Sequence, residues 1–185
     1  MTRRPLTRLA QDAVAAHLGA GDRAVDATVG NGHDTVFLAR ATTPGGLVIG
    51  FDIQSPALTG ARARLQAEGL SDAVTLVHAG HERMAAHVPG DWHGDVAAIM
   101  FNLGYLPGGD KRVITRAPTT LAALDQALAL LRPGGVLSLL LYRGHPGAGD
   151  EVDAVSAWTQ ALAPGFRLCC HDSAGPVLYL VERRE

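Results

Sequence analysis

Four short stretches of the chain place polar residues where apolar runs stop. The first, "DATVGNGHDT" at 26–35, sets Asp26 ahead of Gly30-Asn31-Gly32 and restarts on Asp34. Glycine lets a backbone approach a ligand closely, and a helix beginning after it offers N–H groups with no helical partner. Asp26 would repel a phosphate, so the turn suits a ligand end that carries an ammonium. Thr35 also stands where the dinucleotide fingerprint G-x-G-x-x-G needs its third glycine. The second stretch ends "LVIGFD" with Asp52, and Gln54 follows. A carboxylate at that place accepts both hydroxyls of a ribose. The third, "AGHE" at 79–82, offers His81 and Glu82 to a flat base such as adenine, although His81 also reads as a plain loop histidine. The fourth, "FNLGYLPGGDK" at 101–111, puts Asn102 at the end of an apolar run and Tyr105 three residues later. An Asn carbonyl and a neighbouring backbone carbonyl accept two hydrogen bonds from an amine and so aim its lone pair at a methyl donor. Tyr105 offers a face on which a base stacks. The same stretch also reads as a Gly/Pro turn with a capping Asn.

These residues need elements that bring them together, and the chain alternates in the way that does so. Leu6, Leu9, Ala10, Ala13, Val14 and His17 recur at helical spacing, closed by Gly19 and Gly21. A strand over 23–28 and a short helix over 34–40 follow. "LVIGFD" at 47–52 is a buried strand; Ser55 and Pro56 then open a helix as N-cap and first position, and Gly69 ends it. Strands over 74–78 and 96–101 flank a single helical turn at 84–87. A polar loop over 102–117 leads to a helix marked by Leu121, Leu124, Leu128 and Leu131, which "RPGG" terminates. A strand over 136–141, a helix over 150–162 and two strands over 166–170 and 177–181, paired with each other, complete the chain. Continuously apolar strands separated by helices predict an α/β fold with a mostly parallel sheet and helices on both faces. Right-handed crossovers put every strand's C-terminal end on one edge, where such sheets bind ligands. All four polar stretches follow predicted strands.

One crevice is therefore expected, with an acid and a glycine turn for an amino-acid end, an acid for a ribose and polar groups for an adenine. Asn102 stands where an acceptor would enter. That set matches S-adenosyl-methionine better than NAD. The assigned donor contacts are Asp26, Thr28, Gly30, Asn31, Gly32, Asp52, Gln54, His81 and Glu82, and Asn102 and Tyr105 are the catalytic candidates. Leu103, Gly104, Lys111, Arg112, Arg116, Arg143 and His145 are assigned to the acceptor side. Solvent, Asp26, Glu82 or His145 would take the proton an alkylammonium must lose. The eight histidines lack metal-ligand spacing, so no metal is expected. The 185 residues, 47 % of them apolar, suit one domain over 1–185 with residues 1–21 as a helix packed on the core. No apolar run approaches a membrane span or a signal-peptide core. Cys169 and Cys170, adjacent and unable to staple the fold, read as small hydrophobes of a strand in a cytoplasmic protein. The net charge of −2 gives no global attraction to nucleic acid. A homodimer would assemble a local basic face from Arg3, Arg4, Lys111, Arg112, Arg116 and Arg143.

The blocks "DATVGNGHDTVFLA", "GFDIQ", "GHE" and "FNLGYLPGGDK" resemble those of the YtqB/MnmM-like class I methyltransferases, a family long labelled as rRNA methylases. "LLRPGGVLSLLLYRGHPGAGDE" resembles the same family further on, so that the likeness covers about residues 6–182. It implies a seven-stranded Rossmann-like class I methyltransferase sheet with S-adenosyl-methionine as donor. It also implies a tRNA substrate, read at the anticodon: N-methylation of 5-aminomethyl-2-thiouridine at the wobble position to the methylaminomethyl form. Asn31, Asp52, Gln54 and His81 would contact the donor, and Asn102 and Tyr105 the acceptor. The rival readings are a methyltransferase of this fold acting on rRNA or another amine, an NAD-type oxidoreductase, and a non-catalytic RNA-binding module.

Overall fold

Successive side chains of a strand point to opposite faces, and in this chain both faces are apolar. The computed structural model describes residues 4–109, 112–144 and 147–185; Arg3, Lys111 and His145 lie outside the described residues. Five strands run parallel: β1 (Arg23–Asp26), β2 (Leu47–Asp52), β3 (Val74–His78), β4 (Val96–Leu103) and β5 (Leu131–Leu141). Two more, β6 (Phe166–His171) and β7 (Val177–Arg183), form an antiparallel end. The order is β3-β2-β1-β4-β5-β7-β6, a seven-stranded sheet. Three helices, α1 (Leu6–Ala15), α2 (His33–Thr42) and α3 (Ser55–Ala67), cover one face. There Ala10, Val14, Leu38 and Leu65 pack with Ala24, Val48, Ala98 and Met100. On the other face α4 (Met84–His87), α5 (Ala117–Leu130) and α6 (Ala148–Gln160) bring Met84, Leu124, Ala127 and Val155 onto Val25, Ile49, Ile99 and Phe101. Such a double cover is what continuously apolar strands require, because each residue leaves water whichever way it points.

The chain runs outward from β1 to β3, then crosses back to β4 on the other side of β1. Neighbouring connections diverge at that reversal and leave an opening above the C-terminal ends of β1 and β4. The predicted class and topology hold, and the differences are local. Asn102 is not the first loop residue but lies inside β4, opposite Leu140 of β5, because the pairing continues to Leu103 and Leu141. The predicted end of β4 at Phe101 thus falls two residues short. Strand β5 begins at once after α5, and a register shift between Val96 and Ala98 accommodates "RPGG". Ser55 does not cap α3; Gln54 occupies that position, and its N–H is held by the Asp52 carboxylate at 2.8 Å. Cys169 and Cys170 lie in a strand as expected, yet both are exposed, since β6 is an edge strand with four of its six residues open to solvent.

Candidate active site

The turn after β1 is built by its glycines. Gly32 has φ +76°, and a Cβ there would lie 2.9 Å from the Ala61 Cβ of α3. Only glycine lets α2 begin so close to α3. Gly30, with φ +50°, donates its N–H to the Asp52 carboxylate at 2.8 Å. Asp52 therefore ties the ends of β1 and β2 together, one oxygen on Gly30 and the other on Gln54. Each oxygen keeps a lone pair for a ligand hydroxyl. The turn also reaches across to the loop after β4, where the Asn31 amide donates to the Pro107 carbonyl at 3.5 Å.

These contacts bound a crevice of about 810 Å³ at the reversal point, within the range of small-molecule sites. Thr28, Gly30, Asn31, Asp52, Gln54, His81 and Glu82 line it, and so do Asn102, Gly104, Tyr105 and Arg116. Phe51 and Ile53 supply apolar wall beside Asp52. His81 is buried with its ring 5.5 Å from that of Phe101, and burial pushes its pKa down, favouring the neutral imidazole. Asp26 stands behind this wall rather than in it. It is fully buried and accepts hydrogen bonds from the Thr28 N–H at 3.1 Å and the Thr35 hydroxyl at 2.6 Å. Burial, with the charge of Asp34 nearby, pushes its pKa up to about 7. Gly32 and Leu103 are likewise buried next to the crevice without lining it. Arg112 is exposed and is not part of the lining. Arg143 turns away, donating to the Ser173 carbonyl and pairing with Asp172, each at 2.8–2.9 Å.

At the far end the geometry brings in residues that the sequence reading passed over. The Asn102 N–H donates to the Thr28 hydroxyl at 2.7 Å, fixing β4 against the glycine turn. Its side-chain Nδ2 donates to Asp34 Oδ2 at 2.7 Å, and Gln11 of α1 donates to Asp34 Oδ1 at 2.6 Å. Thr7, Gln11, Asp34 and Tyr142 all line this end of the crevice. Burial and the Asp34 charge push the Tyr142 hydroxyl's pKa up. The loop that follows β4 is anchored by a buried acid of α6. Glu151 accepts hydrogen bonds from the hydroxyls of Thr115 at 2.7 Å and Thr120 at 2.6 Å. An acid in a first helical turn ordinarily complements the helix dipole. That local role of Asp34 hides its long-range one, and no nearby spacing marks Gln11 or Glu151. Among the described residues no three His, Cys, Asp or Glu side chains gather to hold a metal ion. Among the described residues no helix is long and apolar enough to cross a membrane.

Comparison with known proteins adds relatives to this geometry. A family profile described as "Putative rRNA methylase" matches residues 48–174. The "tRNA (mnm(5)s(2)U34)-methyltransferase, chloroplastic" of Arabidopsis thaliana is 38 % identical over 178 residues, which is 89 % of this chain and 64 % of that protein. The chain thus spans a little under two thirds of that relative's length. A crystal structure from Clostridium thermocellum, described as a "putative rRNA-methylase", is 34 % identical, with a TM-score of 0.93 over 99 % of this chain and 100 % of that one. A Streptococcus mutans protein described as "a putative methyltransferase", solved in complex with SAH, is 33 % identical with a TM-score of 0.86 over 99 % of both chains. The profile match takes in β2 to β6, with Asp52, His81 and Asn102 inside it, and the structural likeness extends over the glycine turn as well. The chain belongs to the rRNA methylase family, with the Rossmann-like fold of class I methyltransferases.

Proposed function

We propose that this chain is an S-adenosyl-methionine-dependent N-methyltransferase of tRNA. It acts on the aminomethyl group of 5-aminomethyl-2-thiouridine at the wobble position. The observation that carries this reading is that Asn102 lines the same crevice as Asp52 and the glycine turn, at the reversal point of the sheet. The named activity of the Arabidopsis relative and the SAH in the Streptococcus mutans structure support it.

The crevice fits such a donor on its own chemistry. Asp52 accepts the ribose hydroxyls, Phe51 and Ile53 flank the base, and His81, neutral at physiological pH, offers a hydrogen-bonding ring beside it. The N–H groups that open α2 suit the carboxylate of the donor's amino-acid end. The donor supplies an activated methyl group on a sulfonium, transferred in line to the amine nitrogen. The protein's share is positioning and exclusion of water. Asn102 accepts from the acceptor amine and orients it, and Tyr105 stands at the mouth as a wall for the uridine ring. Arg116, at the rim of the crevice, and the exposed Arg112 meet the RNA backbone. The anticodon region is the part of the tRNA engaged. A homodimer would gather these arginines into one face, and the cytoplasm is the compartment of work.

Calorimetric titration with S-adenosyl-methionine and, separately, NAD is the first test. Micromolar binding of the first alone is expected, and binding of NAD alone would overturn the donor assignment. Incubation with donor and tRNA bearing 5-aminomethyl-2-thiouridine should then give the methylaminomethyl nucleoside by mass spectrometry. Methylation of rRNA in place of that tRNA would move the acceptor, and RNA binding without donor use would leave a binding module.

A further inference from the structure

Resting on the amine-methylation reading, we infer that Asp34 is the positioning residue that fixes which edge of the Asn102 amide meets the acceptor. A carboxylate only accepts hydrogen bonds, whereas an amide has a donating and an accepting edge. With Asp34 Oδ2 at 2.7 Å from Asn102 Nδ2, the NH₂ edge is committed to Asp34. The carbonyl Oδ1 is left as the edge available to an incoming N–H. The Asn102 backbone is pinned independently by Thr28, so a flip of the side-chain amide is the remaining freedom, and Asp34 removes it. Gln11 holds the other oxygen of Asp34 from α1 and stops the carboxylate from turning away. The three side chains come from α1, α2 and β4, and all line the acceptor end of the crevice.

The arrangement also selects the acceptor class. An amine donates to Oδ1 and, on becoming a methylammonium, gains positive charge beside Asp34. A carboxylate acceptor has no proton to donate to Oδ1 and meets a like charge. In the step itself the nitrogen lone pair forms the N–C bond as the C–S bond breaks. Sulfur keeps that bonding pair, and the methylated nitrogen later gives its extra proton to water.

The test uses the full chain, S-adenosyl-methionine and tRNA carrying 5-aminomethyl-2-thiouridine. Asp34→Asn offers Asn102 either edge, so its amide loses its fixed sense. The expected result is a fall in kcat on the order of 100-fold, with the donor Kd within about threefold of wild type as the control for folding. Asn102→Asp sets two carboxylates together and should be at least as poor. The double variant restores the pairing with its sense reversed: the amide at 34 donates to the carboxylate at 102, which turns its other oxygen to the acceptor. It should recover about tenfold or more over either single change. Wild-type kcat in Asp34→Asn, or a double variant no better than the singles, overturns the inference. An NMR readout stands apart from catalysis: the Asn102 Nδ2 protons should shift strongly in Asp34→Asn, and unchanged protons also overturn it. Wild-type protein that binds donor but leaves this tRNA unmodified would instead refute the amine-methylation reading, and the NMR result alone would then decide the orientation.

Discussion

Asp26 ties the stability of the glycine turn to pH with a sign opposite to that of an ordinary paired carboxylate. The group is fully buried, with Asp34 close by, and its pKa is pushed up to about 7 from 3.8. In the unfolded chain it ionises near 3.8, whereas in the folded protein it keeps its proton until about 7. Between those values the native state binds more protons than the unfolded one, so this residue's contribution falls as pH rises. It is fully present below about 4 and fully lost above about 7. A gap of about 3 in pKa, at ~1.4 kcal/mol for each, makes the loss on the order of 4 kcal/mol. Asp26→Asn keeps the shape and removes the titration, and its amide still reaches both Thr28 and Thr35. Urea denaturation of both proteins from pH 4.5 to pH 8 is the assay. Wild type should be the more stable near pH 4.5 and should lose that lead steadily, falling level with or below the variant by pH 8. A stability difference that stays flat across the range would show that Asp26 is ionised in the folded protein and that burial does not govern it.

Gly32→Ala should destabilise the chain by about 2–4 kcal/mol, combining left-handed strain with the clash against Ala61, as read from denaturation midpoints. Ala61→Gly in that background should recover part of the loss. Asp52→Ala removes two charge-assisted hydrogen bonds as well as the ribose partner and should raise the donor Kd roughly 10- to 100-fold by calorimetry. Glu151→Ala leaves the buried Thr120 hydroxyl without its acceptor, which costs about 1–3 kcal/mol. It should also raise KM for tRNA more than the donor Kd, because Thr115 belongs to the loop after β4. Arg116→Glu should weaken tRNA binding in a salt-dependent manner and leave donor binding unchanged in filter-binding and calorimetric measurements.

The half of the crevice proposed to hold the donor was legible as a cluster because its residues sit at strand ends, and strand ends are visible as the places where apolar runs stop. Asp52, Gln54, His81 and the Gly30–Gly32 turn each follow such a run by a few residues, and the parallel topology then gathers them on one edge without further information. Asp26 obeys the same pattern, yet its side chain is turned inward to Thr35. One sequence pattern serves both a carboxylate that lines the crevice and one buried beneath the turn. Ser55 failed as a cap for a related reason: Asp52 already holds the Gln54 N–H, a contact across the strand end that local capping rules do not contain. The half proposed for the acceptor is held instead by hydrogen bonds between residues far apart in the chain, Gln11 to Asp34, Asp34 to Asn102 and Thr115 to Glu151. Periodicity carries no trace of such pairs.

Helix α1 shows how one element serves both halves of this problem. Ala10 and Val14, one helical turn apart, are buried against the sheet, and that apolar stripe is what the sequence displays. Thr7 and Gln11, also one turn apart, lie on the neighbouring stripe and line the crevice. The helix therefore covers β5 and β7 and walls the acceptor end in the same act. Its removal would expose apolar sheet and release Asp34 together, so loss of activity on truncation would say nothing about Gln11. Gln11→Ala separates the two roles. The apolar stripe is untouched and stability should hold, while Asp34 loses one of its two anchors and kcat should drop by less than in Asp34→Asn. A helix that only covers the sheet would show no change in kcat at all.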